Sequence, residues 1–402
     1  MKFEYRIAGI VVLFALLVAI RAWRNSKPPA TQGQQSATTA PGPDSPSPSA
    51  AQVRMSFSGD STSLQNTVIV PTLDTPMPPG KNVVWCSSFQ IAWNKLKNDV
   101  IKAPVQIKGA EAVAQRLNNA PQGESNLPPE AYFAAAGFVK DGVCDQIRKA
   151  MAGRFPNAPA PRFESENLPP ELTAIVAYAY LAANVKFRVP FEDSASGLTF
   201  KDSAGTQTPA EAFGFESGSE SRSRYQIMVL WAGDGKDDTA GFVVDPCDST
   251  QPNQLVLACI TPKATLAETW ADLQSKLKDP DVRRFARRPV VCMAVPTAAW
   301  RVNHYFSELI GMDKRLLNTG FEDYFILNAQ QDTEFRLDRT GAEVKSEAKI
   351  ECVKSEAVEK DEEPPPLKLI FDRPFLVYMK KRGADQPFFV MWVENAELLT
   401  KR

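Results

Sequence analysis

The sequence predicts one α+β domain over residues 54–402, carried behind a membrane-directed N-terminal segment. Three observations predict it. Helical spacing comes early and period-two alternation late, which favours segregated α+β over alternating βαβ. An apolar run, Ile7–Ile20, precedes a stretch rich in Pro, Ser, Thr and Ala that cannot bury a core. The balance of 46 basic and 47 acidic residues leaves no electrostatic footprint for nucleic acid.

The N-terminal segment, residues 1–24, reads as an uncleaved membrane anchor. Lys2 and Arg6 lie before the apolar run, and Arg21, Arg24 and Lys27 after it. The run is shorter than the roughly 20 residues a spanning helix needs, but Trp23 and snorkelling arginines extend it. A cleaved secretion signal is the alternative, although no A-x-A-like site follows, and a buried helix is the third reading. Residues 25–53 read as a disordered linker. This order puts the domain outside the cytoplasm, membrane-anchored or secreted if the signal is cleaved. Basic residues on both flanks leave the orientation rule undecided.

Within the domain, helical spacing marks the stretch from Ser87, the stretch from Gly142, and Thr265–Leu277. Leu172–Phe187 is nearly all apolar and fits a central strand or a buried helix. Strand patterns follow in SRYQIMVLWAG, TAGFVVD and NQLVLACIT, then in YFILNAQQDTEFRLD, PLKLIFDRPFLVYMKK and QPFFVMWVENA. Near the C-terminus, Ala342, Val344, Ser346, Ala348, Ile350 and Cys352 alternate with Glu343, Lys345, Glu347, Lys349 and Glu351. That is the pattern of a half-buried strand. It runs into SEAVEKDEEPPP, which cannot continue one.

Catalytic and metal chemistry find little support. The single histidine, His304, excludes a multi-histidine metal site and reads as a core or surface residue. The six cysteines form no C-x-x-C pair and read as mostly buried thiols. GDGKDD, Gly233–Asp238, lacks the ligand spacing of a calcium loop and reads as a hairpin turn. No cofactor and no enzymatic activity are expected. The one dense basic cluster, Arg283, Arg284, Arg287 and Arg288, is a candidate weak polyanion contact, with a solvated face as the plainer reading.

Several segments, in order along the chain, resemble the serpin family. Phe371–Leu399 resembles its closing hairpin, with Phe371, Arg373, Pro374 and Phe375 on the F-x-[KR]-P-F segment. LDRTGAEVKSEA resembles the hinge where a strand of the main sheet turns into the reactive loop, with Gly341 and Glu343 on family positions. Leu181–Phe200 is similar to the segment around W-x-x-P-F, with Phe187 replacing the tryptophan. Asn82–Trp93 is similar to the opening of the family's second helix. The resemblance implies a serpin-like fold with three β-sheets and several, mostly N-terminal, helices.

It also implies a function. The leading expectation is a serine-protease inhibitor acting by reactive-loop cleavage and insertion. The alternative is a non-inhibitory serpin fold used as a membrane-tethered binding or structural module. The hinge falls on Gly341, Ala342, Glu343, Val344 and Ser346. Counting from the hinge puts the scissile bond near Ser355, and counting back from Pro374 puts it near Glu363. Lys354 and Lys360 are the basic residues that a trypsin-like protease would prefer. Val344, Lys345 and Glu347 depart from the tiny residues of the family hinge. Cys86, Ala179 and Gln331 stand where its sheet-opening region carries a polar network, which is expected to be dismantled here.

Overall fold

The computed structural model describes residues 54–169, 173–233, 241–247, 251–278, 288–344 and 366–402. The apolar run Ile7–Ile20, the linker, and the hinge-to-loop residues 345–365 lie outside them. Among the described residues no helix is long and apolar enough to cross a membrane. Strands are numbered in chain order.

The late alternating segments assemble into three main sheets. The seven-stranded sheet runs in the order β11 (Met228–Ala232), β12 (Phe242–Asp245), β13 (Asn253–Cys259), β19 (Phe375–Lys381), β20 (Phe389–Val393), β3 (Asn82–Cys86), β2 (Thr67–Ile69). The closing hairpin β19–β20 lies in its middle, and every residue of β20 is buried. That explains its near-continuous apolar sequence: both faces are covered. The antiparallel pairing of β11 with β12 fits the turn expected at Gly233–Asp238, of which only Gly233 is described.

The four-stranded sheet runs β18 (Leu367–Ile370), β14 (Val290–Pro296), β10 (Ala212–Phe215), β7 (Glu192–Asp193). The five-stranded sheet runs β1 (Phe57–Asp60), β15 (Ala298–Tyr305), β16 (Gln330–Asp338), β17 (Gly341–Val344), β6 (Ala183–Lys186). Two ribbons complete the set: β4 (Tyr132–Phe138) with β5 (Ile175–Leu181), and β8 (Leu198–Lys201) with β9 (Gln207–Ala210).

The helices cover these sheets. α1 (Ser87–Lys95) buries Ile91 and Trp93 and runs into a π-helical turn, Leu96–Ile101. α2 (Glu111–Asn119) buries Ala114 and Leu117. α3 (Val143–Arg154) buries the i, i+4, i+8 stripe Val143, Ile147, Met151 together with Val176 of β5. α4 (Leu266–Lys278) sets Trp270 edge-on to Tyr378 of β19, with ring centroids 4.8 Å apart.

The stretch that fitted strand or helix, Leu172–Phe187, forms strands β5 and β6. Its alternation decides the matter: Val176, Tyr178 and Tyr180 pack toward α3, while Ala179 and Leu181 face the main core. The balance of elements differs from the expected early helices. β3 and β4 are early strands, and α3 and α4 each stand between strands. Alanine-rich YFAAAGF carries little strand propensity of its own and is a strand because β5 pairs along its whole length.

The two ends of the domain are sewn together. Ser56 N–H donates to Ala299 O (2.6 Å), and its hydroxyl lies 2.9 Å from Leu398 O. The Glu397 carboxylate accepts from Gln65 N–H (2.7 Å), Asn66 N–H (2.9 Å) and the Thr67 hydroxyl (2.7 Å).

Candidate functional site: the hinge of the five-stranded sheet

The hinge begins with a tight turn. β16 ends at Asp338, which is buried, and its Oδ1 accepts from Thr340 N–H (2.7 Å) and the Thr340 hydroxyl (2.5 Å). An aspartate bonding its own backbone two residues on is a strong turn former. The chain therefore reverses at Arg339–Thr340, and β17 returns antiparallel to β16, with Arg336 opposite Glu343, Leu337 opposite Ala342 and Asp338 opposite Gly341. The turn is docked from below by Phe187 N–H to Thr340 O (2.9 Å) and Phe191 N–H to Arg339 O (2.8 Å).

Gly341 is required where β17 meets β6. Its φ is +147°, and a Cβ there would stand 2.2 Å from Val185 O and 3.0 Å from Lys186 Cα. No side chain fits that approach. Past it, Ala342 is buried inward and Glu343 is half-exposed, as the alternation predicts. Val344 completes the strand opposite Ala183. The hinge residues Gly341–Val344 are thus seated in the sheet, between β16 and β6 and antiparallel to both. Ser346 and the scissile-region residues Lys354, Ser355, Lys360 and Glu363 lie outside the described residues.

Below β17 the two flanking strands diverge in their pairing. Among the described residues, nothing pairs with Gln330–Phe335 of β16 on the β17 side, or with β5 on the edge away from β4. Along β16 the side chains alternate cleanly: Gln331, Thr333 and Phe335 are buried, and Asp332 and Glu334 exposed. Burial first, then the charges of Tyr180 and Asp332, push the Tyr178 phenol up. Burial and then Glu334 do the same to Tyr180.

The polar node expected to be dismantled is reduced rather than absent. Gln331 Nε2 lies 3.0 Å from Cys86 O and 2.9 Å from the Ser88 hydroxyl, which ties β16 to the start of α1. Ala179 adds nothing polar to it, and Gln331 Oε1 is buried without a partner. Burial pushes the Cys86 thiol up, so it stays a neutral thiol.

The outer edge of β6 is closed by side chains. Lys186 N–H donates to Gln251 Oε1 (3.0 Å), and Gln251 Nε2 donates back to Lys186 O. Asn253 Nδ2 donates to Asn184 O (3.2 Å). Three residues past β6, Val189 N–H donates to Gln226 Oε1 (3.0 Å) and Gln226 Nε2 to Val189 O (2.6 Å). Beneath Gln251, Asp245 is buried and meets Arg382 Nη2 at 3.1 Å. Burial pushes its carboxyl up, opposed by the Cys247 N–H and by Arg382. Sequence reasoning missed all of these residues, because neutral amides in turn segments carry no periodicity to find them by.

The other sequence-singled residues lie elsewhere. His304, on β15, has Nδ1 2.7 Å from the Ser61 hydroxyl, and burial pushes its pKa down to about 4. Asp60 beside it is committed to Thr62, through the N–H (2.8 Å) and the hydroxyl (2.6 Å), so the three do not form a catalytic relay. Arg288 corrects the polyanion reading at its own position: it is buried, and its Nη2 donates to Gly233 O at 2.9 Å. Arg283, Arg284 and Arg287 lie outside the described residues. Cys86, Cys144, Cys247 and Cys259 are buried thiols, as expected, and Cys292 is partly buried. Among the described residues no group of carboxylate, thiol or imidazole side chains is placed to hold a metal.

No protein-family model matches the chain, and no curated protein matches it. Solved structures do. Serpin48 of the insect Tenebrio molitor is 13% identical, with 78% of this chain and 92% of that chain covered and a TM-score of 0.39. Native protease nexin-1 with heparin is 9% identical over 78% and 92%, with a TM-score of 0.44. The thermophilic serpin Tengpin in its native state is 12% identical over 84% and 99%, with a TM-score of 0.40. With identities of 9–13% and TM-scores below 0.5, the description of the fold rests on the chain's own ladders.

Proposed function

We propose that this chain is a serpin-like protein whose 345–365 segment is a protease-cleavable loop, and that it inhibits a serine protease by loop cleavage and insertion. The observation that carries the reading is the pair of edges below β17, on β16 and β5, that no described strand fills. An unpaired edge on each side is a template for one added strand, and ladder bonds gained there are a source of free energy. Continuing the β17 register would set Ser346 beside Thr333 and Leu181, and Ala348 beside Gln331 and Ala179. These are small or modest side chains on the buried face. On the other face Lys345 would oppose Glu334, which is favourable, and Glu347 would oppose Asp332, which is not.

A second reading has its own support. Gly341–Val344 is already seated in the sheet of the uncut chain, with Val344 paired opposite Ala183. A chain that stops there would serve as a non-inhibitory binding or structural module. In either case the domain is proposed to lie outside the cytoplasm, held by the segment around Ile7–Ile20.

The deciding experiment is thermal unfolding of residues 54–402 before and after limited proteolysis at Lys354 or Lys360. Insertion predicts a large upward shift in Tm, because new ladder and burial are gained. An unchanged Tm rejects insertion and leaves the binding module. A denaturant-resistant complex with a serine protease then separates inhibitor from substrate, and Val344→Ala with Lys345→Ala should raise its yield.

A further inference from the structure

We propose that Gln251 and Asn253 are positioning residues that stand in for a missing edge strand on β6 and thereby hold the hinge strand β17 in its seat, with Gln226 doing the same for the chain at Val189 just beyond it. The proposal rests on the insertion reading for its consequence, but not for its geometry.

β6 is the last strand of its sheet, so half its backbone groups point away from any ladder. The alternation is explicit. Val185 and Phe187 face β17, the latter through Phe187 N–H to Thr340 O, while Asn184 and Lys186 face outward. Exposed edge groups ordinarily end in water or pair with another chain. Here Gln251 offers Lys186 one acceptor and one donor from a single planar amide, the same two bonds a neighbouring strand would give. Asn253 takes Asn184 O, two residues back, at the spacing of one outward-facing position. Gln226 repeats the two-bond pattern on Val189.

The amides are themselves fixed. Asn253 and Gln226 are buried, and Asn253 begins β13. Gln251 is flanked by Cys247, whose thiol lies 3.1 Å from Lys186 O, and its own carbonyl accepts from Arg382 Nε at 3.0 Å. Arg382 also meets buried Asp245. The seven-stranded sheet thus reaches across to hold β6.

β17 depends on that hold. It is only four residues long and has β16 on one side and β6 on the other. Gly341 fits β6 so closely that a small displacement of Val185 and Lys186 removes its seat. A seated β17 is also the nucleus from which a longer strand would grow, with the ordering cost of its first residues already met. Releasing the amides should therefore unseat β17 and slow insertion of a cleaved loop.

The test uses hydrogen exchange and insertion kinetics on residues 54–402, with Gln251→Ala plus Asn253→Ala, Gln226→Ala alone, and Gln251→Glu. The double variant should speed exchange at Lys186 and at Ala342 by roughly tenfold, the scale of one or two lost hydrogen bonds. Gln226→Ala should speed Val189 and leave Lys186 alone. Gln251→Glu keeps the acceptor and loses the donor, so it should fall between wild type and the double variant and guards against simple misfolding. After loop cleavage, the double variant should reach the heat-stable form more slowly. Unchanged exchange at Ala342, or insertion that is equal or faster, overturns the proposal. A wild-type chain whose Tm never rises on cleavage instead rejects the insertion reading, and exchange alone then decides the hold.

Discussion

β19–β20 and β16–β17 are both antiparallel pairs near the C-terminus, and they are built on opposite terms. In the seven-stranded sheet β19 and β20 have a neighbour on each side, and β20 is buried throughout. In the five-stranded sheet β17 is a four-residue stub, and β16 alternates buried Gln331 and Thr333 with exposed Asp332 and Glu334. The first pair is fixed by apolar area on two faces. The second is fixed by one turn, one glycine contact and side-chain amides. One chain thus keeps a region that gains nothing by moving beside a region where small local changes shift the balance.

The largest expected effect lies where the two regions touch. Phe389 of β20 stacks on Phe335 of β16, with centroids 4.7 Å apart and both rings buried. Phe389→Ala should cost about 3–5 kcal/mol in denaturant unfolding. Thr333→Ala, on the hinge side, should cost about 1 kcal/mol or less. Equal losses would erase the contrast.

Gly341→Ala comes next. It forces a Cβ against Val185 O at a positive φ, and should cost about 2 kcal/mol and expose the Ala342 amide to exchange. Protection retained at Ala342 would show that the close approach is not what seats β17.

His304 gives a pH signature. Its pKa is pushed down from 6.5 to about 4 by burial, so the folded chain holds it neutral. The contribution is fully present above pH 6.5 and is lost as pH falls toward 4, where folded and unfolded forms both carry the proton. With partial exposure discounted, the loss is about 1–2 kcal/mol. The variant His304→Gln should flatten the Tm between pH 7 and pH 4.5, and a profile that stays as steep assigns the slope elsewhere.

The smallest effect sharpens the hinge itself. If residues past Val344 follow the β17 register, Glu347 meets Asp332. Asp332→Asn should then favour insertion by about 0.2–1 kcal/mol, read as a faster rise in heat stability after loop cleavage. A rate that does not change would mean another register.

Much of the architecture was legible in the sequence, and for physical reasons. Alternation in QQDTEFRLD and the continuous apolar run of the closing hairpin translate directly into one covered face and two. The strand at Ala342–Val344 was legible from its period-two alternation, whereas the hinge role of Gly341 and Glu343 came from the family resemblance and not from any local pattern. What stayed hidden depends on long-range geometry. YFAAAGF is a strand only because β5 lies beside it. Arg288 looked like part of a surface cluster, yet it turns inward to a carbonyl 55 residues away. Gln251, Asn253 and Gln226 act through amides whose partners are backbone atoms of β6 and Val189, and no local pattern encodes that.

The seam between the domain's ends has a mechanical consequence. β1 lies parallel to β15 over four residue pairs, and Ser56 at its start is bonded into both β15 and the C-terminal turn. A pull on the chain at Ser56 along the strand axis loads that ladder in shear, so its bonds share the force instead of opening one by one. The load passes through β15 and through the carboxylate of Glu397 into the terminal turn. Between β1 and the four-residue hinge strand stand β15 and β16. A tension that reaches this domain through its N-terminal end is therefore taken up at the outer margin of the sheet, two strands away from β17.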